Sequence, residues 1–303
     1  MVLLEADQVH AVRDPYGFRP LCLGRFGPPE APEGWMVASE SPALDVVGAS
    51  FVREIEPGEM VTITEGAVTS RQLLTPAGEK PKLCIFEFVY FALPDAYLMG
   101  HQVHTTRRRM GELLAGQSSV AADLVMGVPD SGVPAAEGYA KASGVPFGYG
   151  LVKNRYIGRT FIAPDQQERT ASVRRKLNPL RENIEGQRLI VVDDSIVRGT
   201  TTKALVAMLR EAGATEVHLR ISSPPFTWPC FYGIDTPDRD ELLAATHTTA
   251  EMTAYVGADS LEFITLANLR AAIQLSGECC DACLTGAYPA PIPVTLGAVG
   301  SRR

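Results

Sequence analysis

The 303-residue chain has no uninterrupted apolar tract approaching the roughly 18 residues of a membrane span. Its most apolar stretch near the front, 83–93, is broken by Glu87. Residues 1–10 lack the basic region and small-residue cleavage site of a secretion signal, so the expected compartment is the cytoplasm. Positive charge is not in excess either. Lys and Arg number 28 against 35 Asp and Glu, a formal net charge of −7, so the molecule as a whole offers no footprint for a nucleic-acid backbone or an anionic membrane, and neither is expected as a partner. Six cysteines are too sparse for a disulfide scaffold, and 27 Gly with 22 Pro are too few for a collagenous or largely disordered chain. No internal repeat or low-complexity tract is visible.

The chain instead divides by pattern. From Val2 to about residue 75, short alternating runs (Val2–Leu4, Val9–Val12, Leu21–Gly24, Trp35–Ala38, Met60–Ile63) are punctuated by Pro and Gly, which predicts an antiparallel β region. The chain is expected to begin mid-domain. The polar connector Thr75–Lys82 is the expected boundary. Beyond it apolar strands (Leu124–Val128, Leu189–Val192, Glu216–Ile221) alternate with helical spacing (Thr105–Ala115, Ala135–Ala142, Thr202–Ala212). That alternation implies βαβ units and a mostly parallel sheet with ligands at the carboxyl ends of its strands. The expected organisation is 1–75, 76–288, and a loose tail at 289–303.

The most informative run is Leu189–Thr202, in which an apolar strand delivers Asp193 and Asp194 to its carboxyl end and Ser195, Arg198, Gly199, Thr200, Thr201 and Thr202 follow. Gly199 and the threonines place amide N–H groups and hydroxyls at a helix N-terminus, an anion site by geometry and dipole. The Gly-x-x-x-x-Gly-Lys-Ser/Thr spacing of a Walker loop is absent, which argues against nucleoside triphosphate hydrolysis. Two carboxylates beside a phosphate cradle suit a sugar phosphate: the acids accept from ribose hydroxyls or attract Mg²⁺, and the amides hold the phosphate. One Asp and one Thr could merely cap a loop and start a helix. All these polar positions in register behind one strand point to a site.

Leu189–Thr201 resembles the phosphoribosylpyrophosphate-binding motif of type I phosphoribosyltransferases. Together with Val128-Pro-Asp130-Ser131-Gly132, Gly150–Phe161, Lys176-Leu-Asn178 and Pro229–Asp235, the chain resembles, essentially end to end, the glutamine phosphoribosylpyrophosphate amidotransferase family. Ala11–Leu21 and Val37–Ser41 are similar to the last third of that family's N-terminal-nucleophile glutaminase domain. The resemblance implies an α/β phosphoribosyltransferase sheet with flanking helices, preceded by a β-rich partial glutaminase domain. It also implies formation of phosphoribosylamine from phosphoribosylpyrophosphate and ammonia, the first committed step of purine synthesis.

By the same resemblance, Asp193 and Asp194 would meet the ribose hydroxyls and the Mg²⁺ shell, which Ser131 completes. Ser195, Arg198, Gly199, Thr200, Thr201, Thr202 and Asp130 would bind substrate. Lys153, Arg155 and Arg159, in a basic segment running to Lys176, would belong to a lid over the leaving pyrophosphate. Cys280-x-x-Cys283 with Cys84 and Cys230 matches the ligands of a [4Fe–4S] cluster in one group of the family, whereas Cys22 reads as a core residue. Purine nucleotides as feedback inhibitors and a homo-oligomer are implied as well. Met1-Val2 stands where the family's glutaminase requires an N-terminal cysteine, so free ammonia is the expected nitrogen source unless a separate or missing glutaminase portion supplies it. Two other readings remain open: a nucleobase-salvage phosphoribosyltransferase, and a non-enzymatic regulator that senses phosphoribosylpyrophosphate.

Overall fold

A strand buried on both faces has to be apolar along its whole length, and Leu189, Ile190, Val191 and Val192 meet that demand: each is fully buried. They form the centre of a parallel sheet in the computed structural model of the chain, which describes residues 1–65, 67–75, 81–154, 176–236, 238–275 and 279–292. The chain divides into two compact units, Met1–His104 with Leu275–Asp281 and Tyr288–Pro291, and Thr105–Gln274 with Ala282–Ala287 and Ile292–Arg303.

In the first unit the strands are β1 (Val2–Leu4), β2 (Gln8–Val12), β3 (Cys22–Phe26), β4 (Gly34–Ala38), β5 (Ser50–Glu54), β6 (Glu59–Thr64) and β7 (Ala67–Gln72), with a short helix α1 (Pro42–Val46) between β4 and β5. They pair as two antiparallel sheets, β1-β2-β6-β7 and β4-β3-β5. Ala11, Leu23, Ile55 and Val61 pack into one cluster. The two-residue strand β8 (Leu83–Cys84) precedes a π-helix at Glu87–Phe91, and a hairpin joins β9 (Tyr97–Leu98) to β10 (His101–Gln102). The alternating runs read from the sequence therefore lie on strands, each within a residue or two of the expected bounds.

The second unit carries α2 (Val103–Gln117), β11 (Leu124–Gly127), α3 (Val133–Ser143), β12 (Leu151–Lys153), β13 (Leu177–Pro179), α4 (Arg181–Ile184), β14 (Arg188–Asp193), α5 (Thr200–Glu211), β15 (Glu216–Ile221), α6 (Leu243–Thr246), α7 (Thr249–Val256), β16 (Ser260–Phe263) and α8 (Leu266–Ile273). The main sheet has the order β11-β14-β15-β16, parallel throughout. Residues of α5 (Leu205, Val206, Leu209) and α7 (Met252, Val256) share one core with the sheet's Leu189, Val191 and Leu219. The fourth strand and the helices after residue 240 were not expected from the sequence. β17 (Cys279–Cys280) pairs with β8 in the first unit, and α9 (Ala282–Thr285) follows it. Among the described residues no helix is long and apolar enough to cross a membrane. Arg155, Arg159 and most of the 289–303 tail lie outside the described residues.

Candidate active site

Because β11 and β14 are adjacent and parallel, with Gly127 opposite Val192, the segments leaving their carboxyl ends emerge side by side. One is the turn Val128–Gly132, in which the Pro129–Asp130 peptide is cis. The other begins at Asp193 and runs into α5. Gly132 permits their close approach: a Cβ there would lie 2.4 Å from the Val192 carbonyl oxygen. With the two segments in touch, the Ser131 hydroxyl donates to Asp194 Oδ2 at 2.5 Å and the Ser195 hydroxyl to Oδ1 of the same carboxylate at 2.6 Å. The Asp194 amide donates to Asp193 Oδ1 at 2.9 Å. Just past the end of β15, the Ser222 amide and hydroxyl both donate to the Asp193 carbonyl from the other side.

Both carboxylates are buried, Asp193 at 9% and Asp194 at 8% exposure. Burial pushes the Asp193 carboxyl well above the ordinary aspartate range, and the neighbouring Asp194 charge pushes it further. Asp194 is also raised by burial, but the Ser131 and Ser195 hydroxyls and the positive charge of Arg107 oppose the rise. Two carboxylates this close and this dry share a strained charge state that a cation relieves.

Arg107 is the residue that the sequence reading missed. It is 2% exposed on α2. A signal was present: Arg107 shares the helix face of Met110, Gly111 and Leu114 (i, i+3, i+4, i+7), where an amphipathic helix buries its side chains. An arginine at such a position demands a buried counter-charge.

The loop after the acids ends at Gly199, which takes a left-handed conformation (φ 72°) at the N-cap of α5. No side chain caps this N-terminus, which leaves it suited by dipole and by amide donors to an anion. Thr200 is half-buried and Thr201 exposed there, while Thr202 is 4% exposed on the packed side of α5. The Arg198 guanidinium is turned to Glu241, to which its Nε donates at 2.6 Å. Lys153, on β12, donates to Asp130 Oδ2 at 2.5 Å, and both side chains are exposed. Thus Ser131, Asp193, Asp194 and Ser195 are joined by hydrogen bonds, and Asp130 is joined to Lys153.

The donor set fits Mg²⁺, which takes one or two carboxylates and completes its shell with water and substrate phosphate oxygens. The cysteines of the expected iron–sulfur set divide between the two units. Cys280 pairs in register with Cys84 on β17 and β8. In the other unit, the Thr227 and Trp228 amides donate to the Cys283 carbonyl at 3.1 and 3.0 Å, three residues and two residues before Cys230. Burial pushes the Cys84 thiol up to about 12. Among the described residues no three His, Cys, Asp or Glu side chains gather as a metal site. Cys22 is a core residue, as expected: it is 3% exposed, its thiol donates to the Ala38 carbonyl, and burial raises it to about 11.

The chain is similar to known proteins along almost its whole length. Residues 110–222 match the phosphoribosyl transferase domain family. The chain is 53% identical to the amidophosphoribosyltransferase of Mycobacterium tuberculosis (strain ATCC 25618 / H37Rv), over 97% of this chain and 55% of that protein. It is 47% identical to that of Archaeoglobus fulgidus, over 97% of this chain and 63% of that one. A solved structure, the glutamine phosphoribosylpyrophosphate amidotransferase of B. subtilis complexed with ADP and GMP, superposes with a TM-score of 0.86 at 46% identity, covering 97% of this chain and 64% of that one. The chain thus spans somewhat more than half the length of these relatives, and its parallel sheet with flanking helices is the type I phosphoribosyltransferase fold.

Proposed function

The chain belongs to the amidophosphoribosyltransferase family, and from that premise we propose that it forms 5-phosphoribosylamine from phosphoribosylpyrophosphate and ammonia, releasing pyrophosphate, at the carboxyl ends of β11 and β14. The single observation that carries the reading is the buried Asp193–Asp194 pair immediately before the uncapped N-terminus of α5. That arrangement holds a ribose between a phosphate on one side and a second charged group on the other. Similarity over 97% of the chain to amidophosphoribosyltransferases favours this reading over nucleobase salvage or a non-enzymatic sensor.

In this reading the amides of Gly199, Thr200 and Thr201 bind the 5′-phosphate, with Ser195 and Thr202 supporting the loop. Asp193 and Asp194 accept from the ribose hydroxyls and carry the Mg²⁺ shell with Ser131. Bound Mg²⁺ supplies positive charge against the pyrophosphate. The bond from ribose C1 to the pyrophosphate oxygen breaks and a bond from C1 to nitrogen forms. Because the sugar passes through oxocarbenium character, the buried carboxylates stabilise developing positive charge, and holding the sugar in place supplies much of the rate. Lys153, Arg155 and Arg159 are assigned to the leaving group, with Asp130 beside them. The organisation proposed is 1–75 as part of a glutaminase domain, 76–288 as the transferase and 289–303 as a tail. A [4Fe–4S] cluster on Cys84, Cys230, Cys280 and Cys283 belongs to the same proposal, supported by the all-thiol set and its C-x-x-C pair; iron and sulfide counts on anaerobic protein test it. Feedback by purine nucleotides rests on the ADP and GMP of the B. subtilis structure, and homo-oligomeric assembly and a cytoplasmic location complete the reading.

The test is pyrophosphate release by anaerobically purified protein given phosphoribosylpyrophosphate and Mg²⁺, with ammonia or glutamine as nitrogen source. Release that depends on ammonia is the expected result. A folded protein that binds phosphoribosylpyrophosphate yet releases nothing with either nitrogen source would overturn the assignment as an enzyme.

A further inference from the structure

The loop of residues 195–199 is flanked by residues 239–255, which no part of the proposed reaction uses. The two segments meet at several independent points. Arg198 donates through Nε to Glu241 Oε2 at 2.6 Å, and a second guanidinium nitrogen pairs with the same oxygen. The Leu243 amide donates to the Val197 carbonyl at 2.9 Å. A Cβ on Gly199 would lie 2.5 Å from Leu243 Cδ2 and 3.1 Å from Tyr255 Cε1, so these two side chains form a wall against the left-handed turn. One turn into α5, the Lys203 ammonium stands 4.6 Å from the centre of the Tyr255 ring.

The flanking segment is itself held. The Arg239 guanidinium lies 3.9 Å over the Trp228 ring and its Nε donates to the Thr227 carbonyl at 3.2 Å. The Leu242 amide donates to the Arg239 carbonyl at 3.0 Å. Glu241 is therefore presented from an anchored turn, and the partner it takes is the one long cation of the phosphate loop.

We propose that Glu241 is a positioning residue for the phosphate-binding loop: by holding Arg198 outside the cradle, together with the Leu243 and Tyr255 wall, it fixes residues 197–199 in the binding conformation before substrate arrives. The inference rests on the proposed reaction for its consequence, since a loop fixed in advance binds the 5′-phosphate without a further ordering cost. It assigns the Arg198 side chain to the loop's support, and leaves the phosphate to the backbone amides.

Hydrogen exchange of the peptide spanning 195–200, measured on the substrate-free full chain, tests the brace directly. In Glu241→Gln that peptide should exchange about fivefold faster, the span of a half-exposed ion pair, while peptides from β14 and β15 stay at the wild-type rate. KM for phosphoribosylpyrophosphate should rise by a similar factor with kcat unchanged, and Glu241→Asp should recover part of both. Glu112→Gln, which removes an exposed pair with Lys141 between α2 and α3, should alter neither. Unchanged loop exchange in Glu241→Gln overturns the proposal, as does acceleration spread evenly over the unit, which would mark a merely structural role. Wild-type protein that neither binds nor turns over phosphoribosylpyrophosphate counts against the proposed reaction, while the exchange comparison still decides the brace.

Discussion

The buried carboxylates of the two units are compensated to different degrees. In the β-rich unit Glu59, 4% exposed, accepts from the two terminal Arg53 guanidinium nitrogens, the Ser70 hydroxyl and the Glu56 amide. Arg13, 4% exposed, donates to the carbonyls of Gly17, Arg19 and Ile55 and pairs with Glu54. Glu87 pairs with Arg19 at 2.7 Å. Each of these buried charges has its opposite beside it, as a stable interior requires. In the parallel-sheet unit Asp193 and Asp194 are buried side by side, and the compensation they receive is partial. Such a cost is one that a ligand can relieve, so the imbalance marks the pair as a candidate site more clearly than either polarity or burial alone.

The sharpest way to break this comparison is Asp193→Asn. Turnover should fall by about 10²–10³, while the melting temperature at neutral pH should rise by a few degrees, because removing one member of a buried like-charge pair removes a native-state penalty. Parallel kinetics and thermal unfolding check it, and a fall in both would place the pair among the stabilising elements instead. Next in size is Gly199→Ala. The left-handed turn and the Leu243–Tyr255 wall should together cost about 2–3 kcal/mol, read as a raised KM for phosphoribosylpyrophosphate and faster exchange in the loop.

Glu59→Gln should act in the opposite sense to Asp193→Asn, destabilising by about 2 kcal/mol through the loss of charge-assisted hydrogen bonds. Its pH dependence has a definite sign. Burial favours the neutral form of Glu59, but the bonds from Arg53, Ser70 and the Glu56 amide outweigh it and hold the carboxyl at about 2, below its ordinary 4.5. A carboxyl lowered on folding stabilises fully above 4.5, and the contribution is lost as pH falls toward 2. Acid unfolding of wild type and variant should therefore converge in that window, and parallel curves would refute the assignment. The smallest effect belongs to Asp123→Asn. Its hydrogen bonds and charge pairing with Arg188 hold Asp123 at about 2, but both side chains are more than a third exposed, so turnover should stay at the wild-type value and any thermal shift should vanish in high salt.

The Asp193–Thr202 run was legible because strand, acids, glycine and threonines are contiguous, and local chemistry is what contiguous sequence encodes. Arg107 was not legible as a partner of Asp194, since 87 positions separate them along the chain and one arginine among three, Arg107–Arg109, carries no mark of burial beyond its helical phase. Glu241 left no signal at all, being an ordinary acid in a polar turn until the fold sets its segment, with Leu243 and Tyr255, against the loop. Strand β16 itself was missed because Ser260-Leu-Glu-Phe263 is short and alternates polar with apolar, unlike the continuous apolar runs of the central strands.

By itself, then, the sequence determined the two patterns of periodicity, the parallel sheet, and the loop chemistry behind β14, because side-chain spacing and backbone preference act over a few residues. Tertiary structure alone decided which charges would be compensated. Whether Glu59 meets an arginine, Asp194 a buried cation or Arg198 an acid depends on the strand order and helix packing that bring distant segments within hydrogen-bond reach, and the free energy of a buried charge depends on what lies within a few ångströms of it.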